Sequence, residues 1–246
     1  LSIRRQRQMC IRDSADIYGP SIPLMMDVEN MKPLSINEGD KVKIKPIENY
    51  SVKILSIGFF TKPSQAVIWR GPMAAKALNQ MIFDSAWGKL DFLIVDLPPG
   101  TGDIHLSIVQ SLPLDGAVVI STPQKVALEA ARKGISMFTQ ENINVPVLGI
   151  IENMSYFSPK EFPDKKYFIF GKSGAKNLSV DLDVPFLGEI PIEETIREAG
   201  DFGRPVSLQK NTDISESISL ITKKMIAQLL KRNKNLPPTE IVKITN

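Results

Sequence analysis

Three short apolar runs constrain this chain most: DFLIVD from Asp91 to Asp96, AVVIS from Ala117 to Ser121, and VLGII from Val147 to Ile151. Each is too short for a helix and rich in β-branched residues, so each reads as a strand. Apolar side chains at consecutive positions mean that both faces of such a strand are covered. Helix-period stretches lie between them. Gly71 to Trp87 repeats Ala74, Leu78, Met81 and Ser85, and Gln124 to Glu141 repeats Leu128, Ala131, Ile135 and Phe138. A further apolar run, Val52 to Phe60, precedes the first helix. Covered strands alternating with long helices predict a doubly wound α/β fold, a mainly parallel sheet with helices on both faces.

Two other elements are legible. Lys41 to Ile47 alternates charged and apolar residues, which predicts an edge hairpin with the strand after it. Thr212 to Arg232 carries an apolar stripe of Ile214, Ile218, Ile221, Met225 and Leu229, with a capping box expected at Asp213 and Glu216. Leu236-Pro237-Pro238 ends that helix.

Composition excludes several classes. The 246 residues are 43% hydrophobic and 23% charged, the balance of an ordinary globular protein. One cysteine, Cys10, permits neither an intrachain disulfide nor a Cys-rich metal site. No run reaches the roughly 18 apolar residues of a membrane span. The net charge of +3 resides in the head, where Arg4, Arg5, Arg7 and Arg12 face only Asp13. The rest of the chain is balanced, which argues against nucleic acid as a partner. Residues 1–14 read as an unrelated or disordered leader, 15–234 as the folded domain and 235–246 as a flexible tail. The expected location is cytoplasmic, with no membrane partner.

Chemistry concentrates in Asp91 to Asp103, DFLIVDLPPGTGD. A carboxylate at the C-terminal end of a covered strand faces the crevice where doubly wound folds bind ligands. As a hard oxygen donor, Asp96 suits Mg²⁺, which keeps several of its waters. Pro98-Pro99-Gly100 turns the chain, and Gly100 and Gly102 leave backbone N–H groups open to a phosphate oxygen.

These and other blocks resemble the Mrp/ApbC family of iron–sulfur cluster carriers, within the MinD/ParA-like P-loop ATPases. The matching pieces are ADIYGPSIP (Ala15 to Pro23), SIGFF (Ser56 to Phe60), WRGPM (Trp69 to Met73) and LDFLIVDLPPGTGDIHLS (Leu90 to Ser107). STPQKVALEAARKG (Ser121 to Gly134), GIIENMSYF (Gly149 to Phe157) and IPIEETIREAGDFGRPV (Ile190 to Val206) follow. The resemblance implies ATP and Mg²⁺ as cofactors. It makes Asp16 the catalytic residue that orients the attacking water, Asp96 the Mg²⁺ acid acting through water, and Gly100 the sensor of the γ-phosphate. It also implies that Asn153 hydrogen-bonds the adenine, with the loop around Pro191 packing on the base.

Two departures stand against it. The family opens with a strand and a Gly-rich Walker A loop bearing a lysine, which binds the β- and γ-phosphates. Nothing from Leu1 to Ser14 resembles it, and Ser14 replaces the acid expected two residues before Asp16. The expectation is therefore a fold lacking its first strand and Walker A loop, inactive as an ATPase in this form. Second, Ser158-Pro159-Lys160-Glu161 stands where the family has a Cys-Pro-x-Cys pair that bridges a cluster across a dimer. Ser158 and Glu161 offer hard oxygens where iron–sulfur clusters take soft thiolates, so no cluster ligands are assigned.

Gly171-Lys172-Ser173 ends like a Walker A, but Lys166 stands where its leading glycine belongs, so it reads as a helix start. His105, the only histidine, reads as a helix-surface or capping residue, and Trp69 and Trp87 as core anchors. Lys223, Lys224, Lys231, Arg232 and Lys234 read as a solvent-facing basic helix end. The expected function is an ATP-hydrolysing protein that assists iron–sulfur cluster assembly or transfer, homodimeric when complete and working with client or scaffold proteins. The alternative is a regulatory or positioning switch of the MinD/ParA type.

Overall fold

The computed structural model describes residues 11–14, 21–60, 71–209 and 212–241. Trp69 and Cys10 lie outside them. The chain divides into two units, each of which follows by itself.

The first unit holds strand β1 (Ile11–Ser14), helix α1 (Ile22–Met25), β2 (Leu34–Glu38), β3 (Lys41–Lys45), β4 (Ile47–Asn49), β5 (Val52–Ser56), α2 (Gly71–Phe83) and β6 (Leu93–Asp96). Its main sheet runs β4-β5-β1-β6, with β5, β1 and β6 parallel and β4 antiparallel at one edge. Along β5 the side chains alternate faces. Ile54 packs with Ile22, Met26, Val28, Ile47 and Phe59, while Leu55 packs with Ile57, Met81 and Trp87. One strand thus feeds two apolar cores.

Several boundaries differ from expectation, each for a local reason. Ile11–Ser14, inside the expected leader, is a strand paired on both sides. Arg12 and Asp13 mask its pattern, and it leads straight into the Ala15 block with no glycine before Gly19. The Lys41 run splits at Pro46, which has no N–H for a ladder. β3 therefore pairs back with β2, and only Ile47–Asn49 pairs forward with β5. Helix α2 stops at Phe83 because the next residues bond β3 instead: Ile44 N–H donates to the Asp84 carbonyl at 2.8 Å, and Ala86 N–H to the Ile44 carbonyl at 2.8 Å. Trp87 is a core anchor as expected, 8% exposed, its indole N–H donating to the Ile82 carbonyl at 2.9 Å.

The second unit holds β7 (Ala117–Ser121), α4 (Lys125–Thr139), β8 (Val147–Phe157), α5 (Gly174–Asp181), β9 (Phe186–Ile192) and α7 (Asp213–Asn235). Helices α3 (Asp103–Ser111) and α6 (Glu194–Asp201) each cross the division between units. The sheet β7-β8-β9 is parallel. Neighbouring residues of β8 serve opposite faces. Ile150 packs with Ala131 and Ile135 of α4 and with Ala175 and Leu178 of α5, whereas Ile151 packs with Leu187 and Ile221 of α7. Helices on both faces of a parallel sheet are the doubly wound arrangement. At Gly188, φ +156°, an added Cβ would sit 2.6 Å from Ile221 Cγ1, so glycine lets α7 lie this close to β9.

Helix α7 begins one residue earlier than its expected box: the Thr212 hydroxyl accepts from Ser215 N–H at 3.2 Å, and Thr212 N–H donates to the Ser215 hydroxyl at 3.4 Å. Its basic end is only partly solvent-facing. Arg232 has 9% of its side chain exposed, pairs with Asp115 at 3.5 Å and donates to Thr239 at 2.6 Å, which ties part of the expected tail to the domain. His105 is buried in the first turn of α3 rather than surface-exposed. Strands β6 and β7 are less covered than their apolar runs predict. Each has one paired neighbour among the described residues, and Leu93, Ile94 and Ile120 are exposed. No described helix is long and apolar enough to cross a membrane.

Candidate functional site

Because β5, β1 and β6 run parallel, their C-terminal ends fall in line. Ser14 registers with Ser56 on one side and Asp96 on the other. Ser56 is buried, and its hydroxyl accepts from Gly58 N–H at 3.1 Å, fixing the turn that ends β5. Asp96 is half-buried at the last position of β6. A carboxylate at a parallel strand end is the placement that a Mg²⁺ ligand requires in this fold.

The chain turns immediately beyond. Pro98 is buried, Pro99 and Gly100 are exposed, and Gly100 has φ +108°, which favours glycine. An added Cβ at Gly100 or Gly102 would meet no atom within 4 Å, so the bend leaves its backbone accessible. Gly102 caps α3 without a side-chain hydrogen bond, and Asp103 lies in the first turn. The Asp96 carboxylate offers the hard oxygen that a hydrated Mg²⁺ takes; the open bend, by itself, leaves backbone N–H groups for a phosphate oxygen. Among the described residues no three His, Cys, Asp or Glu side chains gather into a metal site. Asp16 lies outside the described residues.

In the second unit, Asn153 of β8 registers with Ile190 of β9, the residue before Pro191. The two expected base contacts therefore sit on neighbouring strands. Pro191 is a buried strand residue and not part of a loop. The Asn153 side-chain oxygen accepts from Met154 N–H at 2.9 Å, and Met154 holds φ +53°, an uncommon conformation for a non-glycine residue. Ser155 ties β8 to β9 by donating to the Ile190 carbonyl at 3.1 Å.

Sequence reading missed Glu152. It is 1% exposed, and its carboxylate accepts Ala175 N–H at 2.6 Å and Lys176 N–H, filling the N-terminus of α5. This settles the GKS turn. The helix starts at Gly174, and the anion position at its end is taken by Glu152, so Lys172 does not mark a phosphate loop. The signal was available as a lone acid after an apolar strand, but nothing local tells which helix it caps.

Burial raises the Glu152 carboxyl above its ordinary range, and the charge of Glu189 adds to this, while the two backbone amides oppose it. The folded state then holds the proton to higher pH than the unfolded state. Stability from this group is lost as pH rises from the ordinary carboxylate pKa through the raised value. Glu152→Gln keeps an acceptor for Ala175 and removes the charge, so urea titrations should show a flatter decline across that window. Glu152→Ala orphans the amides and should cost about 1–3 kcal/mol.

Ser158 and Glu161 follow the end of β8. The Ser158 hydroxyl is buried, Glu161 is exposed, and Phe162 N–H donates to the Pro159 carbonyl at 3.0 Å in a tight turn. No thiol is present at either position.

An iron–sulfur cluster carrier protein from Synechocystis is 44% identical over 213 residues, covering 87% of this chain and 60% of the relative. The iron–sulfur cluster transfer protein NUBPL of Dictyostelium discoideum is 43% identical, covering 87% and 65%. This chain thus spans less than two thirds of their length. Among solved structures, the nucleotide-binding protein of Archaeoglobus fulgidus in complex with ADP superposes with TM-score 0.67 at 32% identity, covering 80% of this chain and 74% of that one. The cell division ATPase MinD of Pyrococcus furiosus shares the fold, with TM-score 0.59 at 18% identity over 88% and 85%. The family model for the ParA-type NUBPL iron-transfer P-loop NTPases matches residues 2–226, and the chain belongs to that family.

Proposed function

We propose that this chain is the nucleotide-responsive body of an ATPase that assists iron–sulfur cluster assembly or transfer in the cytoplasm. The observation that carries the reading is Asp96 at the end of a parallel strand, followed at once by an open Pro-Gly bend. A bound Mg²⁺ would supply positive charge that offsets the phosphates of ATP. Asp96 would hold it through water, Gly100 N–H would meet the γ-phosphate, Asn153 would reach the adenine through its amide group, and the Pro191 segment would pack against the base. Asp16 would orient the attacking water. Closure of a homodimer around nucleotide would present the cluster cargo to clients. The relatives' printed functions favour this over a positioning switch.

Ser158 and Glu161 do not fit a cluster, so the cargo would be held by thiolates outside these 246 residues or by a partner carrier. Deleting the gene in its source organism should lower the activity of iron–sulfur enzymes, and an Asp96→Asn copy should not restore it. Unchanged enzyme activity, together with no cluster transfer in vitro, contradicts the proposal.

A further inference from the structure

Helix α7 has two faces of different chemistry. Ile214 and Ile221 are buried, and Ile221 packs with Ile151 of β8 and Leu187 of β9. On the opposite side Leu220, Ala227 and Leu230 are exposed together with Lys223, Lys224, Lys231 and Lys234. These positions fall within an arc of about 120° around the helix axis. Leu220 is 54% exposed and Leu230 63%. Residues 217–239 hold five cations and no acid. Arg232 lies off the arc and pairs with Asp115, while the four lysines make no ion pair among the described residues.

Neither solubility nor the helix dipole accounts for this stripe. A face that serves solubility alone mixes both signs of charge, and this one does not. The dipole acts within the last turn, which covers Lys231 and Lys234 but not Lys223 and Lys224 in mid-helix. The spacing says more. Leu220, Lys223, Ala227, Leu230 and Lys234 follow one another at steps of three, four, three and four residues. At that spacing one helix meets another along a seam, and the flanking Lys224 and Lys231 stand where charge selects the partner. Ala227, small and central, lets a second helix come close. Asp213 and Glu216 continue the same line into the first turn, so the charges are segregated, acids first and lysines beyond Leu220. A hollow of about 510 Å³ opens where the two stretches meet, lined by Gln209, Glu216, Ser219, Leu220 and Lys223 among others. It offers a partner side chain a place to anchor.

We propose that α7 docks an acidic helix of a partner protein along residues 220–234. Carboxylates of that helix face the four lysines, and its small apolar residues cover Leu220, Ala227 and Leu230. None of its carboxylates stands opposite Asp213 or Glu216. A second copy is a poorer match. Laid antiparallel, it sets Asp213 and Glu216 against Lys234 and Lys231, but it brings Lys223 and Lys224 against their own counterparts at the centre. A lipid surface would find only two leucines, about 15 Å apart along the axis, because the broad apolar face of α7 is buried in the core. A phosphate backbone has no use for the leucines. The inference is independent of the nucleotide reading, and it leaves the segment after β8 to the family's dimer.

The test uses the full chain and a fluorescent, hydrocarbon-stapled two-heptad helix, read by anisotropy. This probe carries alanine and leucine on its contact stripe and glutamate on either side. Versions with glutamine or lysine for glutamate, duplex DNA, and vesicles of equal parts phosphatidylserine and phosphatidylcholine are the other probes. The glutamate helix should bind, weaken with salt, and lose at least about tenfold in affinity in Lys224→Glu/Lys231→Glu and in Leu220→Ser/Leu230→Ser. The lysine helix should bind Lys224→Glu/Lys231→Glu and not the native chain, a reversal that an unfolded variant cannot give. Lys165→Glu, outside α7, should leave binding unchanged. Equal binding of the glutamate and glutamine helices, no binding of the glutamate helix, or unaltered binding by the α7 variants overturns the proposal. So does loss of binding in Lys165→Glu, capture of DNA or vesicles in place of the glutamate helix, or self-association that the α7 variants abolish in sedimentation. None of these results bears on ATP, whose binding is assayed separately.

Discussion

The 246-residue chain should turn over ATP no faster than a protein-free blank. Its sequence contains no Gly-rich loop ending in Gly-Lys-Ser/Thr with the required spacing, and the one near match is a helix end already occupied by Glu152. Without a cradle of amides and a lysine, the β- and γ-phosphates carry charge that Asp96 and one Mg²⁺ cannot balance or orient. Joining the family's Gly-rich segment ahead of Ile11 should restore turnover. In that chimera Asp96→Asn should reduce it by about 100-fold, the scale of losing one positioned electrostatic contact to a transferring phosphoryl group. A coupled-enzyme phosphate assay measures both. Robust turnover by the unextended chain would show that some other group does the work of the lysine.

The second large effect is structural. Ile150→Ala should destabilise the second unit by about 2–5 kcal/mol in urea unfolding, because Ile150 has no exposed surface and sits between α4 and α5 on one face of β8. Ile151→Ala should destabilise through the other face, against Leu187 and Ile221, and a double-mutant cycle measures how strongly these two neighbours couple. A change below about 0.5 kcal/mol at Ile150 would mean that this face is not a packed core.

The elements legible in the sequence are those whose signal is internal to the segment. Helix α4 and helix α7 announce their stripes through Ile135 and Phe138, and through Ile214 and Ile221, all of them buried. The starts of β5 and β8 and the end of β6 follow apolar runs, and Asp96 stands where its run places it, whereas β5 stops at Ser56, short of the Phe60 that its run predicts. What the sequence hides depends on partners distant in the chain. Pro46 divides a run that reads as continuous, and only the pairing of β3 with β2 shows why. β8 continues past Ile151 to Phe157 because β9 and Tyr167 supply hydrogen-bond partners for polar residues that carry no strand signal. Arg232 looks like one of five solvent-facing cations until Asp115 and Thr239 are found beside it. β1 is hidden for a related reason: Arg12 and Asp13 contradict its pattern, and two flanking strands override them.

The candidate site was legible to the same degree. The DFLIVDLPPGTGD block gives the carboxylate and the bend together. Asn153 and Pro191 are 38 positions apart in sequence, and only the β8–β9 register brings them to adjacent strands. Glu152, the most buried acid described, gave no advance sign of its partner helix.

The most direct measurement of the central claim is electron paramagnetic resonance of Mn²⁺, substituted for Mg²⁺, with ATP and the chimera carrying the Gly-rich segment. The account predicts a bound-metal spectrum with the native carboxylate at Asp96, and release of most of that metal to solution in Asp96→Asn at equal nucleotide. An identical bound spectrum in both proteins would contradict it.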